Sequence, residues 1–183
     1  MTGDGGWVSI DKSIGDSLAK SGMPVVGFDS LKYFWSRRDP KTASADLQRV
    51  VQHYLTSWKK QSVILVGYSF GGDVLPAMAS GFPPELRSRI KLIVLLGPGR
   101  TADFEFHITD WIGGVSHKTD QPILPEIEKL KGTKFLCMYG DDDNDTVCKD
   151  LHRDQAVVVR VQGGHHFGGD YKALAARILK EAQ

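Results

Sequence analysis

Apolar positions along the chain fall into two rhythms. Five short runs rich in β-branched residues, Pro24 to Phe28, Ser62 to Val66, Lys91 to Leu96, Lys134 to Tyr139 and Ala156 to Val161, predict strands. The unbroken hydrophobicity of Val63-Ile64-Leu65-Val66 and Leu92-Ile93-Val94-Leu95-Leu96 marks strands buried on both faces, as in a parallel sheet covered by helices. Between them the spacing changes. Ala43, Leu47, Val50, Val51, Tyr54, Leu55 and Trp58 recur every three or four residues, which predicts a helix over Thr42 to Lys59. Phe70 to Ser80, Leu124 to Leu130 and Tyr171 to Ala182 read the same way. Alternating strands and helices define an α/β fold with a mostly parallel central sheet flanked by helices, in one domain over residues 1–183.

Gly99 to Pro122 breaks the pattern. It is long for a connection, has no strand period, and carries Phe104, Phe106, His107, Trp111 and Ile112 among glycines and polar residues, the character of a lid or binding loop.

The chemistry concentrates where strands end. Gly67-Tyr68-Ser69-Phe70-Gly71 follows a buried strand and opens a helix, the strand-turn-helix setting of the G-x-S-x-G nucleophile elbow of α/β-hydrolases. A serine hydroxyl needs a general base, and the base an orienting carboxylate, which this architecture supplies in the order Ser, Asp, His. Asp141-Asp142-Asp143-Asn144-Asp145 follows the fourth run and Gly163-Gly164-His165-His166-Phe167 the fifth. Both loops lie at carboxyl ends of strands, where open α/β sheets bind ligands. Adjacent side chains cannot both aim at Ser69. The His-Phe pair closing the loop favours His166 as the base, with His165 shaping the turn. The acid is Asp143 when counted forward from Gly140 and Asp145 when counted back from the loop end; Asp142 is a further alternative. For the oxyanion, Phe70 supplies one backbone N–H, and the glycine-rich Gly3-Asp4-Gly5-Gly6-Trp7 the second, through Gly5 or Gly6. This chemistry needs no cofactor and no metal. His53, His107, His117 and His152 show no ligand spacing. Tyr33-Phe34-Trp35-Ser36-Arg37-Arg38 sets aromatics beside two arginines that can grip a phosphate or carboxylate.

Composition narrows the partners. Lys plus Arg number 23 against 22 for Asp plus Glu in 183 residues, so no strong field points to nucleic acid. No apolar run approaches the roughly 18 residues that span a bilayer, and a signal-peptide pattern is absent. The glycine-rich start has no strand before it, the expectation being an N-terminally shortened fold whose missing export signal says nothing about compartment. The two cysteines, Cys137 and Cys148, flank the acidic loop and can form a disulfide if their Cα atoms approach to about 5.5 Å. Such a bridge belongs to an oxidising compartment.

Together, Gly3-Asp4-Gly5-Gly6-Trp7, Asp29 to Arg38, Gly67-Tyr68-Ser69-Phe70-Gly71-Gly72-Asp73 and Gly163 to Tyr171 resemble the bacterial virulence protein VirJ family, with the related AcvB proteins, over nearly the whole chain. Gly72, more often alanine there, and the acidic loop, more often mixed Glu and Asp, depart from the family pattern. The resemblance implies a periplasmic α/β-hydrolase that cleaves the aminoacyl ester of lysyl-phosphatidylglycerol. Carried over, Arg37 and Arg38 would meet the lipid phosphate, Asp73 or Asp103 the lysyl ammonium, and Phe104, Phe106 and Trp111 the glycerolipid edge, with peripheral contact at membrane lipid. Two other readings follow from the same residues: a non-catalytic periplasmic binding or secretion-accessory module, and a carboxylesterase of small esters.

Overall fold

The computed structural model describes residues 1–105 and 121–183. In chain order the elements are α1 (Ser9–Lys20), α2 (Ser30–Tyr33), α3 (Pro40–Ser57), β1 (Val63–Tyr68), α4 (Phe70–Ser80), α5 (Pro84–Arg87), β2 (Ile90–Leu96), β3 (Thr101–Ala102), β4 (Gln121–Pro122), α6 (Leu124–Glu128), β5 (Phe135–Gly140), β6 (Ala156–Val161) and α7 (Tyr171–Glu181). Strands β1, β2, β5 and β6 form a sheet in the order β1-β2-β5-β6, every pair parallel. The short β3 and β4 make a separate antiparallel ribbon.

Strand side chains alternate between two faces. Leu65, Ile93, Leu95, Phe135 and Cys137 share a core with Leu47, Val51 and Leu55 of α3, Val74 and Met78 of α4, and Ile127 of α6. Leu92, Val94, Leu96, Leu136 and Met138 face the other way, onto Ile10, Ile14 and Leu18 of α1 and Leu174 and Ile178 of α7. Burying each such side chain contributes about 1.5–3 kcal/mol, so β2 and β5, covered on both sides, anchor the sheet. Helix starts carry their own signals: Asp39 caps α3 by accepting from Thr42 N–H at 3.0 Å, with Pro40 at the first helical position.

Four of the five apolar runs form strands close to their expected bounds. Pro24 to Phe28 does not; it lies outside the sheet ladders and leaves Val25 37% exposed. Thr2 N–H donates to Phe28 O at 3.0 Å, Met1 O accepts from Tyr68 N–H at 3.2 Å, and the Met1 amine donates to Val66 O at 2.6 Å. Residues 1 and 2 therefore occupy the space between β1 and this run. Helix α1 is an addition to the expected elements, although Ile10, Ile14 and Leu18 recur every fourth residue and are buried.

The cysteines are bridged, Cys137 in β5 to Cys148 in the 3-10 turn Val147–Asp150, with Cα atoms 5.5 Å apart. The bridge closes the acidic loop at its base.

Candidate active site

Ser69 joins β1 to α4 with φ 51 and ψ −124, a left-handed backbone that side chains other than glycine's adopt at a cost. Its neighbours hold it there. Ser69 N–H donates to Leu96 O of β2 at 2.8 Å, and Ser69 O accepts from Gly72 N–H at 2.7 Å and Asp73 N–H at 3.0 Å. The close approach of strand and helix needs glycine at both ends of the elbow. A Cβ at 67 would lie 2.4 Å from Gly71 O, and one at 71 would lie 2.4 Å from Thr2 O. At 72 the nearest atom would be 3.2 Å away, so that position is far less constrained.

His165 Nε2 lies 2.8 Å from Ser69 Oγ. The structure thus brings His165, and not the expected His166, to the serine hydroxyl. His166 Nδ1 sits 3.0 Å from Tyr68 Oη and its side chain is exposed, because successive residues of the tight turn before the 3-10 segment Phe167–Gly169 point apart. Tyr68 Oη also lies 3.4 Å from His165 O, and the Tyr68 and His165 rings are 5.5 Å apart, so Tyr68 holds both histidines' segment beside Ser69. Burial pushes the Tyr68 phenol further upward, keeping it a neutral hydroxyl.

On the other side of the imidazole, Asp143 Oδ2 lies 3.7 Å from His165 Nδ1, within ion-pair range, and accepts from Gly140 N–H at 3.1 Å. Asp145 is elsewhere: it pairs with Arg100 Nε at 3.0 Å and is 82% exposed. Asp142 is exposed too, its Oδ2 3.8 Å from where a Cβ on Gly164 would stand. Of the three candidate acids, Asp143 is the one brought to the histidine.

Phe70 sits at the first position of α4, where a backbone N–H has no intrahelical acceptor. The glycine loop reaches the site through Gly3 rather than Gly5 or Gly6. A Cβ on Gly3 would lie 3.3 Å from Ser69 Cβ and 3.1 Å from the Tyr68 ring. Gly6 N–H instead closes a turn onto Gly3 O at 3.2 Å, and Gly5 faces Val8. The loop bends back after one residue, which spacing alone does not reveal.

Sequence reasoning also missed Gly97. With φ +57 it directly follows β2 beneath the imidazole, where a Cβ would lie 3.0 Å from His165 Cε1. Its signal was the Gly97-Pro98-Gly99 punctuation directly after a buried strand.

The remaining candidates lie on neighbouring segments. Asp73 Oδ1 accepts from Gly99 N–H at 2.7 Å, and desolvation pushes its carboxyl up to about 8. Arg38 is tied into the fold, its backbone N–H donating to Phe104 O at 2.9 Å and its guanidinium lying 5.0 Å from the Tyr33 ring centroid. With Arg37, Asp39, Asp103 and Phe104 it lines a pocket of about 350 Å³. Phe34 connects that pocket to the elbow, its ring 5.3 Å from Phe70 and 5.8 Å from Phe104. Phe106, His107, Trp111, Ile112 and His117 lie outside the described residues.

A parallel sheet carrying a strained serine between β1 and α4, with a histidine from the loop after β6 on its hydroxyl, defines the α/β-hydrolase fold. The chain resembles the solved structure of a putative hydrolase of that superfamily from Xanthomonas campestris pv. campestris, at TM-score 0.61 and 16% identity over 98% of this chain and 95% of that one. It resembles the crystal structure of VinJ at TM-score 0.67 and 13% identity, over 99% and 88%. It also resembles the esterase domain of a Rhodothermus marinus protein at TM-score 0.58 and 16% identity, over 93% and 76%. No curated protein matches its sequence. The bacterial virulence protein (VirJ) family matches residues 1–183, and the chain belongs to that family.

Proposed function

We propose that the protein is a serine esterase in which Ser69, His165 and Asp143 act as the triad. The observation that carries this reading is the 2.8 Å contact of His165 Nε2 with the hydroxyl of a serine held at positive φ. Ser69 Oγ attacks the ester carbonyl as His165 takes its proton. Asp143 stabilises the imidazolium, and the Phe70 N–H with the Gly3 stretch receives the oxyanion. His165 then protonates the leaving alcohol, and a water activated by the same imidazole frees the acyl group and restores Ser69.

The family resemblance points to the aminoacyl ester of lysyl-phosphatidylglycerol as substrate. Arg37 and Arg38 at the pocket they line suit the lipid phosphate, and Asp73 suits the lysyl ammonium, whose approach would draw the raised carboxyl pKa back down. The Cys137–Cys148 bridge supports a periplasmic setting. Labelling by a fluorophosphonate probe, compared between the native chain and Ser69→Ala, tests the nucleophile; equal labelling would refute it. Offering lysyl-phosphatidylglycerol beside short-chain esters tests the substrate. Turnover of the small esters alone would leave a generic carboxylesterase.

A further inference from the structure

The loop that leaves β2 touches every part of the site. Gly97 N–H donates to Met138 O of β5 at 2.8 Å, and Gly97 lies beneath the His165 ring, where a Cβ would stand 3.0 Å from Cε1 and 3.1 Å from Nδ1. Pro98 follows, buried, with its φ fixed by the ring and no N–H to donate. Gly99 is then held from two directions. Its N–H donates to Asp73 Oδ1 at 2.7 Å, and its O accepts from Val147 N–H at 3.0 Å. Val147 lies on the segment that carries Asp143 and adjoins the bridged Cys148. Asp73 is itself anchored on the elbow, in the first turn of α4, where its N–H donates to Ser69 O at 3.0 Å. A single carboxyl therefore joins the helix behind the nucleophile to the loop that floors the base and borders the acid's segment.

We propose that Asp73 is a positioning residue for His165, acting through Gly99 and Gly97 to keep the imidazole in line between Ser69 Oγ and Asp143. The inference rests on the triad reading given above and goes beyond the ammonium contact suggested there for Asp73. Met138 O fixes one end of the Gly97-Pro98-Gly99 run and Asp73 the other, so together they set how the run lies under the ring. Pro98 stiffens the link, and a displacement of Gly99 is passed to Gly97 instead of being absorbed between them. A misplacement of about 1 Å between reacting groups costs on the order of 10²-fold in rate. What the role requires is an oxygen that accepts, not a charge. Desolvation first, and the carboxylates of Asp4 and Asp145 after it, push the Asp73 carboxyl up to about 8, so near neutral pH a neutral acid accepts from Gly99 N–H. The substrate need not touch Asp73, and the effect therefore extends to an ester that carries no charge.

The test compares the native chain, Asp73→Asn and Asp73→Ala on an uncharged chromogenic ester, with kcat expressed per serine titrated by a fluorophosphonate. Asp73→Ala is expected to lower kcat by about 10²-fold while KM changes less than about threefold, and Asp73→Asn, which keeps an oxygen for Gly99 N–H, to recover about tenfold or more of that loss. A merely structural role would reduce the folded fraction and leave kcat per titrated serine alone, so an unchanged kcat in Asp73→Ala overturns the proposal. An Asp73→Asn variant as slow as Asp73→Ala also overturns it, since the charge and not the acceptor would then matter. If Asp73→Ala does not fold, Asp73→Ser, whose hydroxyl falls one bond short of Gly99 N–H, is measured in its place with the same expectations. Failure of the esterase reading looks different: the native chain then neither labels at Ser69 nor turns over ester. In that case the nitrogen NMR signals of the His165 imidazole decide. They are expected to move in Asp73→Ala and to return toward their native positions in Asp73→Asn; signals that stay in place overturn the positioning role.

Discussion

His165 and Ser69 stand 96 residues apart in sequence, and their side chains meet at 2.8 Å. The contact depends on two features: the left-handed turn that lifts Ser69 above the strand ends, and the small residue beneath the imidazole at Gly97.

The two histidines are expected to separate cleanly. His165→Ala should lower ester hydrolysis by about 10²–10⁴-fold, the scale of general acid-base catalysis, whereas His166→Ala should keep activity within about tenfold. Steady-state rates on a chromogenic ester decide it, and a reversed order would assign the base to His166.

The acids divide in the same way. Asp143→Asn should cost about 10²–10⁴-fold in kcat, while Asp145→Asn, which loses an exposed pair with Arg100, should change activity little and stability by less than about 1 kcal/mol. Similar kinetic losses in both variants would contradict the assignment.

Gly97→Ala is expected to combine two penalties. Left-handed backbone strain costs about 1–2 kcal/mol, and the new methyl crowds His165. Activity should fall further than the thermal midpoint alone accounts for. Full activity in a destabilised variant would show that the imidazole does not rest on this residue.

Asp73 gives a pH signature. Its carboxyl rises from an ordinary 3.8 to about 8, so the folded chain holds a proton that the unfolded chain releases. The stabilising contribution is complete below pH 3.8 and is lost as the pH rises through about 8. The urea midpoint of the native chain, measured relative to Asp73→Asn, should therefore fall between pH 4 and pH 8. Parallel curves for the two proteins would reject the raised pKa.

Opening the Cys137–Cys148 bridge should lower stability by about 3 kcal/mol, the value for closing a loop of this size. Denaturant titrations with and without reductant measure it.

Hydrophobic periodicity made the sheet legible, since continuous apolar runs such as Leu92 to Leu96 have few alternatives to a doubly covered strand. Pro24 to Phe28 misled because an apolar run reports burial potential and not the presence of a bonding neighbour. Motif spacing placed Ser69 and both loops that reach it. The choice of His165 over His166, and of Gly3 over Gly5 and Gly6, turns on which way one residue of a tight turn points. Composition and period carry no record of that. Asp145 was set aside by Arg100, a partner 45 positions away, which a local count cannot anticipate.

The bridge at the base of the acidic loop joins two events in the life of the molecule. Asp143 lies on a segment returned by a covalent bond to the strand it leaves, so oxidation adds a tether to the packing of Val147 and Cys148 that holds the end of the loop. A chain that folds before its thiols pair would have its sheet and its serine in place while the acid was still on a looser tether. Sulfur chemistry, as well as folding, would then set when the proposed acid is fixed beside His165.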